Sequence, residues 1–205
     1  MKILSFGSMN IDNTYSVDEF VQPGETMTAK NLSKFCGGKG LNQSAALARS
    51  GAKVCHAGMT GNEGAFLIDA LKDSGVDTRY IVMSESESGH AVIQVDKDGQ
   101  NSIIIYPGAN RQITGQMIDN VLEGFEEDDW VLLQNEISNI GYIIDRAYEK
   151  GMKIAFNPSP IVDSISGLPL EKISLFFLNE IEGEAITGKN KSDDICDELL
   201  SKYED

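Results

Sequence analysis

The sequence predicts an α/β fold: a three-layer, doubly wound and mainly parallel sheet with a small antiparallel β lid. Three observations carry this. Short apolar runs alternate along the chain with stretches of helical period, the pattern of a parallel sheet covered by helices. Two Val/Ile-rich runs, Ser88 to Asp96 and Asn101 to Tyr106, flank an Asp98-Gly99 step, a strong hairpin signal that departs from that alternation. The run from Phe35 to Gln43 sets three glycines and a lysine at the mouth of an Ala-rich helical stretch, Ser44 to Ala48.

In chain order, Lys2 to Gly7 is an apolar run ending in glycine and reads as a central parallel strand. Thr14 to Phe20 alternates apolar and polar residues, and Met27 to Cys36 is a weaker strand. With the hairpin they form the lid, so the lid strands occupy about 14–36 and 88–106, inserted in one domain that spans 1–205. Lys53 to Met59 is a strand, followed by a helix from Ala65 to Ser74 that Gly75 closes. Thr114 caps a helix reaching about Glu123, and Trp130 to Gln134 is a buried strand. Ser138 caps a helix to Lys150, with Gly151 after it. Met152 to Phe156 and Ile173 to Leu178 are further strands, and Ser192 opens a last helix. Neither a repeat nor a low-complexity tract interrupts the chain.

At 205 residues the chain is long enough for one full core. No apolar run reaches the roughly 20 residues of a membrane span, and Met1 to Gly7 is too short for a signal peptide. Cys36, Cys55 and Cys196 are odd in number and scattered, which predicts free thiols in a reducing cytoplasm. A net charge of −15 repels nucleic acid and anionic membranes, so neither is an expected partner. His56 and His90 lack partners at metal-ligand spacing and read as packing or rim residues.

Gly37, Gly38 and Gly40 allow a tight turn and close approach to a ligand. The first amides of the helix that follows lack intrahelical partners and are expected to point outward. Lys39 and Asn42 add a charge and an amide at the same place, which suits a polyhydroxylated or anionic ligand. The run Gly37-Gly38-Lys39-Gly40-x-Asn42-Gln43 resembles the sugar-binding signature of the ribokinase-like (PfkB-type) carbohydrate kinases. Gly7 to Asp12, Pro23 to Thr26, Pro107 to Asn110, Asn157 to Pro160 and Asn179-x-x-Glu182 follow that family's motifs in order, so the resemblance covers essentially the whole chain.

Three further constellations bear chemistry. Asn10 and Asp12 lie where a strand meets a loop; spacing alone reads them first as a loop-capping pair, whereas the resemblance implies that Asp12 grips sugar hydroxyls. Glu136 follows the strand Trp130 to Gln134, as a first-turn helix acid or a carboxylate facing the ligand crevice; the resemblance implies a sugar-contacting acid. Asn179 and Glu182 read alone as an N-cap box, and the resemblance implies a nucleotide and Mg²⁺ role. Gly183 to Asn190 nearly matches a phosphate-binding loop, but Asn190 replaces the required hydroxyl and the interior reads as helix.

The resemblance implies transfer of the γ-phosphoryl of ATP to a primary sugar hydroxyl, with Mg²⁺ and by family pattern a monovalent cation. Ribose is the expected sugar, because an amide at Asn10 can pair with a 2-hydroxyl. Thr60 to Phe66 is about two residues shorter than the family's loop, which leaves another small sugar or a nucleoside as alternatives. A homodimer through the lid is expected from the same pattern. The family's Gly-Ala-Gly-Asp motif, with its general base, is absent from these residues. The chain therefore reads as a fragment of a longer kinase, ending at Asp205 in an uncapped helix and inactive alone. A non-catalytic sugar-binding protein is the rival class. A dinucleotide oxidoreductase is disfavoured because no Gly-x-Gly-x-x-Gly follows the first strand.

Overall fold

The computed structural model describes residues 1–203, the side chains of residues 163 and 164 apart. Asp205, at which the sequence reading placed the chain's end, lies outside them. Six strands, β1 (Ile3–Phe6), β4 (Val54–Gly61), β5 (Asp77–Ser84), β8 (Trp130–Gln134), β9 (Lys153–Asn157) and β10 (Leu175–Phe176), form a wholly parallel sheet in the order β10-β9-β8-β1-β4-β5. Strand β1 is internal, with Ile3 opposite Val54 on one side and Trp130 on the other.

Helices pack on both faces, as apolar parallel strands require, although on the α1 side β8 to β10 line an open apolar groove with Trp130, Leu132, Ala155 and Leu175. Helices α3 (Gly115–Leu122) and α4 (Ile140–Glu149) bring Ile118, Val121, Ile143 and Ile144 onto Leu4, Phe6, Leu133 and Phe156. On the opposite side, α1 (Lys39–Arg49) and α2 (Ala65–Asp73) bury Leu41, Leu67 and Leu71 with Met9 and Val54. Helices α5 (Glu180–Thr187) and α6 (Ser192–Tyr203) follow β10. The phosphate-loop look-alike at Gly183 is therefore the body and C-terminal turn of α5, in keeping with its rejection from sequence. No helix among the described residues is long and apolar enough to cross a membrane.

The second sheet is the lid, in the order β3-β2-β6-β7: β2 (Asn10–Ser16), β3 (Asn31–Gly37), β6 (Gly89–Val95) and β7 (Asn101–Tyr106). It is mixed rather than antiparallel. The pairs β2–β3 and β6–β7 are antiparallel, but β2 and β6 run parallel, Asp12 opposite Ala91. The cause lies in the connections: β2 leaves the carboxyl end of β1 and β6 leaves that of β5, so both enter the lid in the same direction.

Four local expectations shift. Strand β2 starts at Asn10 rather than Thr14, so Asn10 and Asp12 sit on a strand, not in a loop. Strand β5 was not anticipated, since its residues are mostly half-exposed and show no clean alternation. Strand β10 shrinks to two residues, although Ser174 and Phe177 still bond to β9 backbone at 2.8 and 2.9 Å. Ser138 is not the cap of α4: Asn139 takes that place at φ 59°, and both side chains instead donate to the Ile113 carbonyl, at 3.0 and 2.6 Å.

Candidate functional site

The chain enters α1 through Gly38 at φ 92°, a conformation that a residue with a Cβ rarely adopts. A Cβ there would stand 2.9 Å from the Ser8 carbonyl oxygen and 3.1 Å from the Asn10 amide. At Gly40 it would meet the Gly7 Cα at 2.6 Å. The glycines thus seat the start of α1 directly on the β1–β2 connection.

That seating corrects one expectation. The first amides of α1 are not free for a ligand. Lys39 N donates to Glu136 Oε2 at 3.0 Å, Gly40 N to Ser8 Oγ at 3.2 Å, and Leu41 N to the Ser8 carbonyl at 2.9 Å. Glu136 lies in the turn after β8, outside α4. It also accepts from Ser8 Oγ in a short hydrogen bond and pairs with Lys39 Nζ at 3.1 Å. Both its oxygens and the Lys39 charge are spent on holding the Gly-rich turn.

Asp12 differs. Its half-buried carboxylate lies against Gly37, at which a Cβ would overlap it, and has no hydrogen-bond or ion-pair partner among the described residues. Burial, and then the nearby Glu136 charge, push its pKa above the usual carboxylate value. An unpaired, partly desolvated carboxylate is a candidate for contact with a ligand. Asn10 is buried beside it. Its Oδ1 accepts from Asn110 Nδ2 at 2.8 Å, and its own Nδ2 has no partner among the described residues. Asn42 is exposed on the first turn of α1, its side chain likewise unpaired among the described residues.

The fold therefore brings Asn10, Asp12, Gly37, Gly38, Lys39, Asn42 and Glu136 together where sheet meets lid. It does not bring Asn179 and Glu182 there. These follow β10, with β9 and β8 between it and β1. They form a capping box: Asn179 Oδ1 accepts from Glu182 N at 2.9 Å, and Glu182 Oε2 from Asn179 N at 3.1 Å. Glu182 Oε1 makes no hydrogen bond among the described residues, which also contain no group of three or more metal-ligating side chains. A single free carboxylate oxygen fits a contact with metal-bound water better than direct coordination.

Sequence reasoning missed two organising residues. Ser8 links Glu136 to α1, and Asn110 holds Asn10 while accepting from Met9 N at 3.0 Å. Both lay within quoted motifs, Gly7 to Asp12 and Pro107 to Asn110, without a role of their own; in the second, Gly108 at φ 48° passes close to the Glu87 and Ser88 carbonyls. His56 is fully buried, and His90 lies beside Tyr106 with ring centroids 5.1 Å apart in a tilted arrangement, as a rim residue does.

A family description, pfkB family carbohydrate kinase, matches residues 1–204. The chain belongs to the pfkB family of carbohydrate kinases. It is similar to the ribokinase of Haemophilus influenzae, 35% identical over 193 residues, which cover 92% of this chain and 63% of that one. The chain thus spans less than two thirds of that relative's length. Among pfkB-type structures, the ribokinase of Thermotoga maritima superposes with a TM-score of 0.85 at 30% identity, covering 99% of this chain and 69% of that one. Arabidopsis thaliana ribokinase complexed with ribose and ATP gives 0.82 at 27% identity, over 98% and 68%.

Proposed function

We propose that this chain supplies the sugar-binding part of a kinase that transfers the γ-phosphoryl of ATP to the primary hydroxyl of a small sugar, ribose foremost. The observation that carries the reading is Asp12, an unpaired half-buried carboxylate set against the Gly-rich turn that Glu136 and Lys39 hold in place. Asp12 accepts hydrogen bonds from two vicinal hydroxyls. Asn10 Nδ2 donates to a third, which favours ribose over 2-deoxyribose. Gly37 leaves room for the Asp12 carboxylate and Gly38 for the Ser8 carbonyl, so both shape the turn that the ring meets, and Asn42 closes the rim. Lys39 and Glu136 orient this turn and exchange partners with the sugar when it arrives. The ribokinase relatives and the Arabidopsis complex with ribose and ATP support this reading.

ATP and Mg²⁺ are the proposed co-substrate and metal, with Glu182 ordering a water on the ion; a monovalent cation has no assigned ligand. Catalysis in such a transfer rests on positioning and charge neutralisation, and closure of the lid excludes competing water. The location is the cytoplasm, neither nucleic acid nor membrane is a partner, and the assembly is a homodimer through the lid. Leu32, Phe35, Ile104 and Tyr106 support the dimer, since all four are exposed apolar lid residues. The 205-residue chain alone binds sugar without turning over ATP.

Calorimetry tests the core of this. The chain is expected to bind ribose more tightly than 2-deoxyribose, and Asp12→Ala to abolish the binding. Equal binding by the variant removes Asp12 from the site. Sugar phosphate made from ATP by the purified chain would overturn its inactivity.

A further inference from the structure

We infer that the buried pair Ser44 and His56 positions the Gly38–Asn42 turn, acting through the Gly40 peptide and not on the ligand. The inference deepens the sugar-site reading and rests on it.

Helix α1 lies across the face of β1 and β4 from which Ser5, Gly7, His56 and Gly58 project. Ser44 and His56 are both fully buried beneath it. Ser44 Oγ donates to the Gly40 carbonyl at 2.8 Å and lies 2.8 Å from His56 Nδ1. A hydroxyl has one proton. With that proton on Gly40 the ring donates from Nδ1; with the ring proton on Nε2, on the side of the Gly7 carbonyl, Ser44 donates to Nδ1, and in either tautomer the ring bonds the Ser44 hydroxyl. The Gly40 N–H in turn donates to Ser8 Oγ, and Ser8 donates to Glu136, which holds Lys39. One line of hydrogen bonds therefore runs from a ring inside the protein, through the carbonyl and the amide on either side of the Gly40 Cα, to the carboxylate beside Asp12.

The other face of the ring shows that packing does not explain it. His56 Nε2 makes no hydrogen bond of acceptable geometry, and neither do its buried neighbour Ser5 Oγ and Gln134 Oε1. A buried polar atom without a partner costs stability. An apolar side chain of similar volume would fill the space without that cost. What it would not supply is a hydrogen-bond partner for Ser44, and hence a fixed direction for the Gly40 carbonyl. A glycine peptide has much conformational freedom to lose, so external bonds matter more here than at an ordinary helix start.

The test uses the 205-residue chain with His56→Leu, Ser44→Ala, both together, and His56→Asn, whose side-chain amide reaches the place of Nδ1. In His56→Leu, the thermal midpoint at pH 8 is expected not to fall. The amides of residues 39–42 are expected to exchange with solvent about tenfold faster, with those of residues 47–49 unchanged, and ribose affinity to drop about tenfold, the scale of one lost hydrogen bond. Ser44→Ala, which suits a helix, gives the same local change if the leucine variant folds poorly. The double variant is no worse than either single one, and His56→Asn restores both readouts. Unchanged exchange at residues 39–42 in both single variants overturns the inference, whatever happens to the midpoint. Faster exchange in a chain that never binds ribose upholds the positioning and sinks the sugar reading instead.

Discussion

Strand β1, inside the large sheet, buries Leu4 and Phe6 completely, whereas strand β7, at the edge of the lid, leaves all six of its residues exposed, Ile103 to Tyr106 among them. The large sheet is sealed by α3 and α4 on one face and by α1 and α2 over β1 and β4 on the other, where Leu132, Ala155 and Leu175 line an open apolar groove beside α1. The lid is attached by polar ties: Asn110 to Asn10, Ser88 Oγ to Gly61 N and Thr60 Oγ1 at 2.9 Å, and Glu63 to the Ser88 amide. A small sheet without a second layer does not stabilise itself. The difference teaches that folding free energy concentrates in one sheet, while the other keeps apolar surface and unpaired polar groups available.

The sharpest way to break that contrast is a pair of truncations. Phe6→Ala removes a fully buried ring from the core and is expected to cost about 3–5 kcal/mol. Ile104→Ala, at a residue 68% exposed, is expected to stay within about 0.5 kcal/mol. Denaturant unfolding measures both. Similar losses at the two positions would mean that the lid is packed as a core element.

Protonation distinguishes the regions next. Burial holds His56 neutral in the large sheet and lowers its pKa from 6.5 to about 4, against a smaller opposing pull from the Gly7 carbonyl. Between those values the unfolded chain binds a proton that the folded chain does not. Stability is therefore full above pH 6.5 and falls as pH drops, by about 3 kcal/mol at pH 4. His56→Leu is expected to flatten that part of the curve. Asp12, at the lid, runs the opposite way. Burial and then the Glu136 charge raise its pKa, so ionising it weakens the fold, and the loss is recovered as pH falls through the raised value. A stability curve that keeps its slope between pH 6.5 and 4 in His56→Leu would assign the acid limb elsewhere.

The two carboxylates beside the Gly-rich turn sharpen the comparison at smaller scale. Asp12→Asn removes an unpaired charge and is expected to leave stability at pH 7 unchanged or higher, while weakening ribose by about ten- to a hundredfold, the loss of a charge-assisted hydrogen bond of about 1.5–3 kcal/mol. Glu136→Gln is expected to weaken ribose and also to lower the unfolding midpoint, because Glu136 holds Ser8 and Lys39. Calorimetry beside thermal unfolding separates them. A drop in midpoint for Asp12→Asn would show that its carboxylate already serves the fold.

Which of these features the sequence announced follows from how local they are. The Gly-rich turn, the helix caps at Thr114 and Asn179 and the strand Trp130 to Gln134 depend on neighbours within a few residues, and all are as expected. The mixed lid, Ser8 and Asn110 depend on contacts distant in the chain, such as Asn10 with Gly89, Asn110 with Asn10 and Ser8 with Glu136. Nothing in a single sequence marks a lone serine as the link between a carboxylate and a helix. The amides of α1 show the same limit: helix physics says that they need partners, but only the fold shows that Glu136 and Ser8 have already taken them.

The smallest expected effect concerns Asn179 and Glu182, whose capping box stands away from the Asp12 cleft. The observed cap and the proposed Mg²⁺ role rest on different oxygens of Glu182. One oxygen caps α5, and the other is unpaired among the described residues. Asn179→Ala removes the cap alone and is expected to cost about 1 kcal/mol of stability with the Mg²⁺ requirement unmoved. Glu182→Ala removes both functions. It is expected to cost a similar amount and, in a full-length form, to raise the Mg²⁺ concentration needed for half-maximal activity while leaving sugar affinity intact. The asparagine variant serves as the control for stability, so any excess shift in the Mg²⁺ titration belongs to the free oxygen. Coincident titrations for the two variants would reduce Glu182 to a helix cap, and the contrast between a structural sheet and a ligand-facing lid would then hold for the sugar end of the molecule alone.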